Sequence, residues 1–299
     1  MYYAGLVILG FVVGILSGLF GIGGGFFLVP MLNAVFNIPY NVAIGSSLCQ
    51  MVGTSIAASL KHHDYGHIDY KLAVWLLAGS LGGAEVGAQI LVWLHGMGDV
   101  IIRGHSISLM YLWVNIIFVV LLLVVGVVMF IESSQASRRG PRGGVVESKI
   151  SQTIRNLGIP PAISLSVSGI KSISIWYAVI LGFGVGVLSG LLGIGGGFIM
   201  SPALIYLLGI PTNIAIGTDL FQIIFTSGYG ATTHFLKGNV DFRLVACILC
   251  GSLVGSQLGA ILHKRMRGAH IRYYFSLLTL AVVVVILIKF VYSISGGAK

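Results

Sequence analysis

Two glycine-rich runs inside apolar sequence are the residues best placed to do chemistry. They are Gly18-Leu-Phe-Gly-Ile-Gly-Gly-Gly-Phe26 and, 172 positions later, Gly190-Leu-Leu-Gly-Ile-Gly-Gly-Gly-Phe198. Each glycine costs a helix about 1 kcal/mol relative to alanine, so three in succession predict a break. At membrane depth, the freed main-chain groups of Gly23, Gly24 and Gly25, and of Gly195, Gly196 and Gly197, must face protein or a wet cavity. A helix opening just after each break presents unpaired N–H groups with partial positive charge, which suits an anion. The competing role for the glycines is close helix packing. Two symmetric copies, each between a span and a half-length helix, favour a binding site. Neither run is followed by Gly-Lys-Ser/Thr, which excludes a phosphate-binding P-loop.

A polar stripe gives the second signal. Ser47, Gln50 and Thr54 recur at i, i+3 and i+7, as do Asp219, Gln222 and Thr226, so each trio shares one helix face. Serine and threonine can bond the preceding turn's carbonyl, whereas glutamine does so less easily. The stripe is therefore expected to line a cavity, with Asn41, Ser46, Asn213 and Thr218 close by. Of the eight acidic residues, only Glu85 and Asp219 fall inside expected spans. An ionised carboxylate at the bilayer centre costs several kcal/mol unless paired or hydrated. Asp219, one turn before Gln222, is a candidate for proton uptake and release, with an inter-helix hydrogen bond as the competing role. Glu85 sits among Gly82, Gly83 and Gly87; a structural hydrogen bond is expected there, with proton coupling as the second role.

His62, His63, Asp64 and His67 have the composition of a metal cluster, but they lie at a helix end and in an aqueous loop. Only His62 has a counterpart in the second run of sequence, His234. A solvated loop with a gating or proton-relay role for His62 and His234 is expected, with no resident metal and no cofactor. The spans hold no Ser/His/Asp or HExxH arrangement, so nothing points to an enzyme.

The elements that must position these residues follow from composition. A chain of 299 residues with 57% hydrophobic and 8% charged residues, and a mean hydropathy of +1.01, describes an all-α polytopic membrane protein. The net charge of +9 then reports orientation before it reports any partner, and nucleic-acid binding is a poor account of it. Cys49, Cys247 and Cys250 lie in expected spans, so no disulfide framework is expected. The apolar runs predict helices at 4–20, 26–36, 42–60, 72–94 and 106–131, then at 174–192, 198–208, 213–235, 244–263 and 273–292. Whether the first two of each set cross fully or dip in as a re-entrant hairpin is open at this level. Residues 14–88 align without a gap on 186–260, and 34 of the 75 positions are identical, which marks a duplication. The chain divides into a first repeat (1–131), a basic cytoplasmic linker (132–172) and a second repeat (173–299).

Charge sets the relative orientation of the repeats. The linker nets +4, and the loop from Lys264 to Arg272 nets +4, while the equivalent loop holding Asp99 and Arg103 nets zero. Only inverted repeats of about five helical segments each, with a glycine-broken pair in each, put both basic segments in the cytoplasm. The N-terminus is then expected outside.

With these residues in hand, the sequence resembles the sulfite exporter TauE/SafE family, also called the 4-toluene sulfonate uptake permease family. The resemblance rests on the doubled glycine run with its following proline (Pro30, Pro202), the Ile-Pro turn (Pro39, Pro211), and Ala-Ile-Gly-Ser/Thr at Ala43 to Ser46 and Ala215 to Thr218. It implies a multi-pass transporter in the cytoplasmic membrane for small sulfur-containing anions such as sulfite, thiosulfate, sulfonates or sulfoacetate. Import or export, a coupling proton or sodium ion, and the oligomeric state stay open. The resulting expectation is an alternating-access secondary transporter that binds its anion between the two breaks. An anion or small-solute channel, and a divalent metal-ion permease using His62, His67 and Asp219, are the alternatives.

Overall fold

The structure is a computed structural model that describes residues 2–95, 98–102, 105–138, 159–192 and 195–294. Among these residues the chain forms α1 (Tyr2–Phe20), α2 (Gly25–Phe36), α3 (Tyr40–Asp64), α4 (Tyr70–His95), β1 (Asp99–Ile102), β2 (His105–Ser108) and α5 (Leu109–Arg138). It continues with β3 (Ala162–Leu165), β4 (Ile170–Ser174), α6 (Ile175–Leu192), α7 (Gly197–Tyr206), α8 (Thr212–Leu236), α9 (Phe242–Arg265) and α10 (Gly268–Ile294). Each helix expected from the apolar runs is present. α5 runs on to Arg138, into the expected linker, because neither glycine nor proline interrupts the sequence between Gly126 and Gly140. Residues 139–158 of that linker lie outside the described residues. Two antiparallel hairpins, β1–β2 and β3–β4, were not expected and make up the sheet content.

Six of the helices are long and apolar enough to cross a bilayer, and α7 is a shorter apolar helix. Large apolar side chains remain on the outside, as on α5 at Val120, Leu123, Val124 and Val127. A surface of that kind is suited to lipid and costly in water. The protein is a multi-pass, all-helical membrane protein.

Lipid tails are as apolar as leucine, so burial alone does not drive helices together in a bilayer, and close backbone approach carries the association. Here glycines provide it. A Cβ on Gly10, Gly14 or Gly18 of α1 would fall 2.2, 2.4 or 2.1 Å from the carbonyl oxygens of Ile248, Ser252 and Ser256 on α9. Reciprocally, one on Gly251, Gly255 or Gly259 would fall 2.0, 2.2 or 2.3 Å from those of Val7, Phe11 and Ile15. Residue numbers rise together along both helices, so α1 and α9 run parallel. The pair α4 and α6 does the same: Gly182, Gly186 and Gly190 meet the carbonyls of Leu76, Ser80 and Ala84 at 2.3, 2.4 and 2.2 Å. Each contact of one pair maps onto the other by a shift of 172 residues. α5 and α10 run antiparallel, with Gly126 against Leu280 and the Phe130 ring 5.8 Å from that of Tyr273.

The first two helices form a hairpin. Their far ends meet where the Tyr2 and Phe36 rings lie 5.5 Å apart, and Gly24 at the turn sits beside Val13 of α1. α1 and α2 therefore begin and end at the same face of the molecule. α3 leaves from that face and finishes beside the end of α1, where His62 Nε2 donates to the Gly18 carbonyl at 3.2 Å. After the turn at Tyr65–Asp69, α4 comes back. The Asp69 and Asp241 carboxylates accept from the main-chain N–H groups that open α4 and α9, Leu72 at 3.3 Å and Arg243 at 2.9 Å.

Candidate functional site

The glycine runs do break the chain. Gly21, Gly23 and Gly24 take φ of +74°, +62° and +89°, and Gly195 and Gly196 take +70° and +82°. These left-handed values are open to glycine at little cost and strain other L-residues. Gly193 and Ile194 lie outside the described residues. Gly25 and Gly197 are the first residues of α2 and α7, and no side chain caps either helix. The first N–H groups of both helices are thus left to whatever lies in front of them.

The two breaks touch. A Cβ on Gly197 would lie 3.1 Å from the carbonyl oxygen of Gly21, and the rings of Phe26 and Phe198 stack with centroids 4.9 Å apart. Two apolar side chains related by the 172-residue shift, Met51 and Ile223, fill the space between them. A side-chain carbon on Gly23 would meet Met51 Cε at 2.5 Å, one on Gly195 would meet the same atom at 2.4 Å, and one on Gly197 would meet Ile223 Cδ1 at 2.3 Å. Met51, Ile223 and Leu48 form a small apolar cluster of their own.

Each break is flanked by the polar residues of one stripe, forming a small chamber beside the second break and a closed one beside the first. Beside the second break, Ser80, Ser189, Asp219, Gln222 and Thr226 line a cavity of about 10 Å³ together with Gly195, Gly196 and the apolar Ala84, Val185 and Ile223. That is room for a single water. The buried Asp219 carboxylate accepts from the Ser201 hydroxyl of α7 at 2.6 Å. Beside the first break the equivalent residues have closed on one another. Gln50 Nε2 donates to Ser252 Oγ at 2.8 Å and to Thr54 Oγ1, and the two hydroxyls lie 2.8 Å apart. Gln50 Oε1, Ser47 Oγ, Ser17 Oγ and Gln222 Oε1 are enclosed with no partner among the described residues. Each such group costs about 1–3 kcal/mol, which a polar ligand or water would recover.

A family model described as sulfite exporter TauE/SafE matches residues 6–286. The chain belongs to this family. Among its relatives is the probable membrane transporter protein YunE of Bacillus subtilis (strain 168), 26% identical over 274 residues that cover 89% of this chain and 90% of the relative. A probable membrane transporter protein of Xylella fastidiosa (strain 9a5c) is 28% identical over 283 residues, covering 93% and 92%. A shorter likeness, 34% over 87 residues, links 28% of this chain to 19% of sulfite exporter TauE/SafE family protein 5 of Arabidopsis thaliana. No solved structure matches the chain.

In this TauE/SafE protein the remaining candidates do not line the cavity beside the second break. Asn41 and Asn213 open α3 and α8, nine residues before the glutamines and so roughly 13 Å from them. Asn41 donates to Asn239 Oδ1 at 2.9 Å, and Asn213 Oδ1 stands 3.2 Å from His263 Nε2. Ser46 and Thr218 accept the main-chain N–H of Asp241 and Asp69, each at 3.0 Å, and so tie each stripe helix to the opposite repeat. Glu85 is exposed on α4 and accepts from Gln89 and from the Tyr229 hydroxyl. His62 is fully buried at the far end of α3, roughly 18 Å along the helix from Gln50. His234 stands beside Gly45, with its Nδ1 enclosed and unpartnered among the described residues.

Sequence reasoning missed Ser201, the partner of Asp219, whose counterpart Val29 cannot hydrogen bond. It also missed His263, which reaches the His62 corner from α9. The Gly-x-x-x-Gly spacing at 10, 14 and 18 was a readable signal for close helix approach.

Proposed function

We propose that the chain is a secondary transporter of a small sulfur-containing anion, working by alternating access between two inverted repeats. The observation that carries this reading is the contact of the two glycine breaks, packed with Met51 and Ile223, with a small chamber beside the second break and its equivalent closed beside the first. Parallel runs of α1 with α9 and of α4 with α6, together with the turn that reverses α4 against α3, support opposite polarity of corresponding helices. In this reading, residues 1–131 and 173–299 are the two repeats. The end of α5, from which the linker departs, and the basic end of α9 share one face, since Phe130 of α5 packs on Tyr273 of α10. Positive charge at that face supports a cytoplasmic linker and an outside N-terminus.

The main-chain N–H groups at Gly23 to Gly25 and Gly195 to Gly197 supply the field for the anion, and Gln50, Gln222 and Ser47 supply directional hydrogen bonds. Rocking one repeat on the other exchanges which chamber is open. Asp219, enclosed with a single hydroxyl donor, is the group whose protonation couples to that exchange. Sulfite, thiosulfate and a short alkyl sulfonate are the substrates to offer. In proteoliposomes, saturable flux and accumulation of one of them against its gradient is the expected result. Flux that never saturates would replace the transporter with a channel, and uptake of divalent metal with no anion flux would replace it with a metal permease.

A further inference from the structure

His62, His67 and His263 come together from three separate elements: the last turn of α3, the turn after it, and the last turn of α9. One ring nitrogen of each lies within 4.8 Å of those of the other two. The ring centroids of His62 and His263 are 4.8 Å apart, and those of His62 and His67 5.6 Å. Two of the rings are already oriented by main chain. His62 Nε2 donates to the Gly18 carbonyl at 3.2 Å and His263 Nδ1 to the Leu19 carbonyl at 2.8 Å. Metal-ligating histidines are commonly held in this way, with one ring N–H bound to a carbonyl and the lone pair of the other nitrogen set free.

The second ring nitrogens of His62 and His263 are left with lone pairs. His62 is fully buried, and its Nδ1 has no partner among the described residues; the same holds for His67 Nδ1. With Nδ1 donating, His263 Nε2 carries a lone pair and stands 3.2 Å from Asn213 Oδ1. Acceptor then faces acceptor unless the amide is turned over or a cation lies between. Lys264 is drawn onto the Tyr65 ring, with Nζ 4.4 Å from the centroid.

We propose that these three histidines bind a resident divalent transition metal of the zinc class, with water in the fourth position. Three neutral imidazoles suit zinc, and nitrogens at about 2.0–2.1 Å from a tetrahedral ion are separated by roughly 3.4 Å, so the rings must draw in by at most about 1.4 Å. The site belongs to one repeat only. The 172-residue shift replaces His67 by Asn239 and His263 by Leu91. Gly18, whose carbonyl orients His62, lies three residues before Gly21. An ion here therefore pins α1, α3 and α9 together at the approach to the first break and biases its movement, without being the transported species.

The test uses the purified full-length chain in detergent, stripped with chelator and titrated with Co²⁺ as a spectroscopic probe, then with Zn²⁺. A tetrahedral Co²⁺ spectrum at one equivalent, displaced by Zn²⁺, and a Zn²⁺-dependent rise in melting temperature are expected. His67→Ala, in the turn, and His263→Gln are each expected to lower affinity by at least about tenfold. His63→Ala, exposed and outside the cluster, is expected to bind as the parent does. A spectrum of the hexaaquo ion only, or a tetrahedral one that His67→Ala leaves unchanged, would overturn the proposal. No readout depends on anion flux, so this result and the transport result stand or fall separately.

Discussion

The ring of Phe26 stacks on that of Phe198, the centroids 4.9 Å apart and the planes inclined by 26°. Both residues are fully buried, and each is the second residue of its helix, two positions after a left-handed glycine. Phe198 stacks in turn on Phe275 of α10, at 5.8 Å and 15°. The stack is what holds the starts of α2 and α7 face to face. Phe26→Ala and Phe198→Ala are each expected to destabilise the protein by about 3–5 kcal/mol. In a double-mutant cycle the pair should couple by about 0.5–1.5 kcal/mol. Reversible unfolding in mixed micelles measures both; strictly additive effects would mean that the rings do not hold each other.

The parallel helix pairs make a sharper prediction, because backbone cannot yield as a side chain can. A Cβ on Gly14 would lie 2.4 Å from the Ser252 carbonyl oxygen, and one on Gly186 would lie 2.4 Å from that of Ser80. Alanine at either position must push two helices apart, at about 1–3 kcal/mol. Gly82→Ala is the control, since nothing lies within 4 Å of its added carbon. It should be neutral or slightly stabilising, through helix propensity. Equal losses at Gly14 and Gly82 would show that the close approach does not carry the association.

In the proposed transport cycle Met51 separates the two chambers, so shortening it should matter more to flux than its size suggests. Met51→Ala removes the atom that lies against both Gly23 and Gly195 and is expected to cost about 2–5 kcal/mol of stability. Proteoliposomes carrying it should leak anion down a gradient while accumulating less, whereas Met51→Leu should stay tight. A Met51→Ala protein that accumulates anion as well as the parent would place the barrier elsewhere.

These positions differ in how readable they were. Glycine breaks and the Ser47, Gln50 and Thr54 stripe were legible, because glycine cost and the 3.6-residue period act within one element. The duplication was legible because it repeats letter by letter. Met51 was not, since a methionine among apolar residues looks the same whether it fills a core or blocks a passage. His263 joins His62 only because α3 and α9 end at the same face, a relation between repeats that no local pattern encodes. Asn41 and Asn213 looked like neighbours of the glutamines in sequence, yet nine helical residues separate them from the chambers. Ser201 has no repeat counterpart of its kind, so symmetry gave no hint of it.

Asp219 and Ser201 supply the last test. The Ser201 hydroxyl donates to Asp219 Oδ2 at 2.6 Å, and Asp219 also lines the cavity with room for one water. Asp219→Asn keeps the shape of the side chain and an oxygen to accept the same bond, but it can no longer gain or lose a proton at working pH. If protonation of Asp219 is tied to the exchange between chambers, the variant should carry anion down a gradient without its usual dependence on pH and without concentrating it. Ser201→Ala removes the hydroxyl donor instead and leaves the carboxyl with one hydrogen bond fewer, at about 1–3 kcal/mol. It should therefore lower stability while retaining a pH-dependent rate. Measuring initial rates of both variants across pH separates the roles: an Asp219→Asn protein whose rate and pH profile match the parent would reduce Asp219 to a link between α7 and α8.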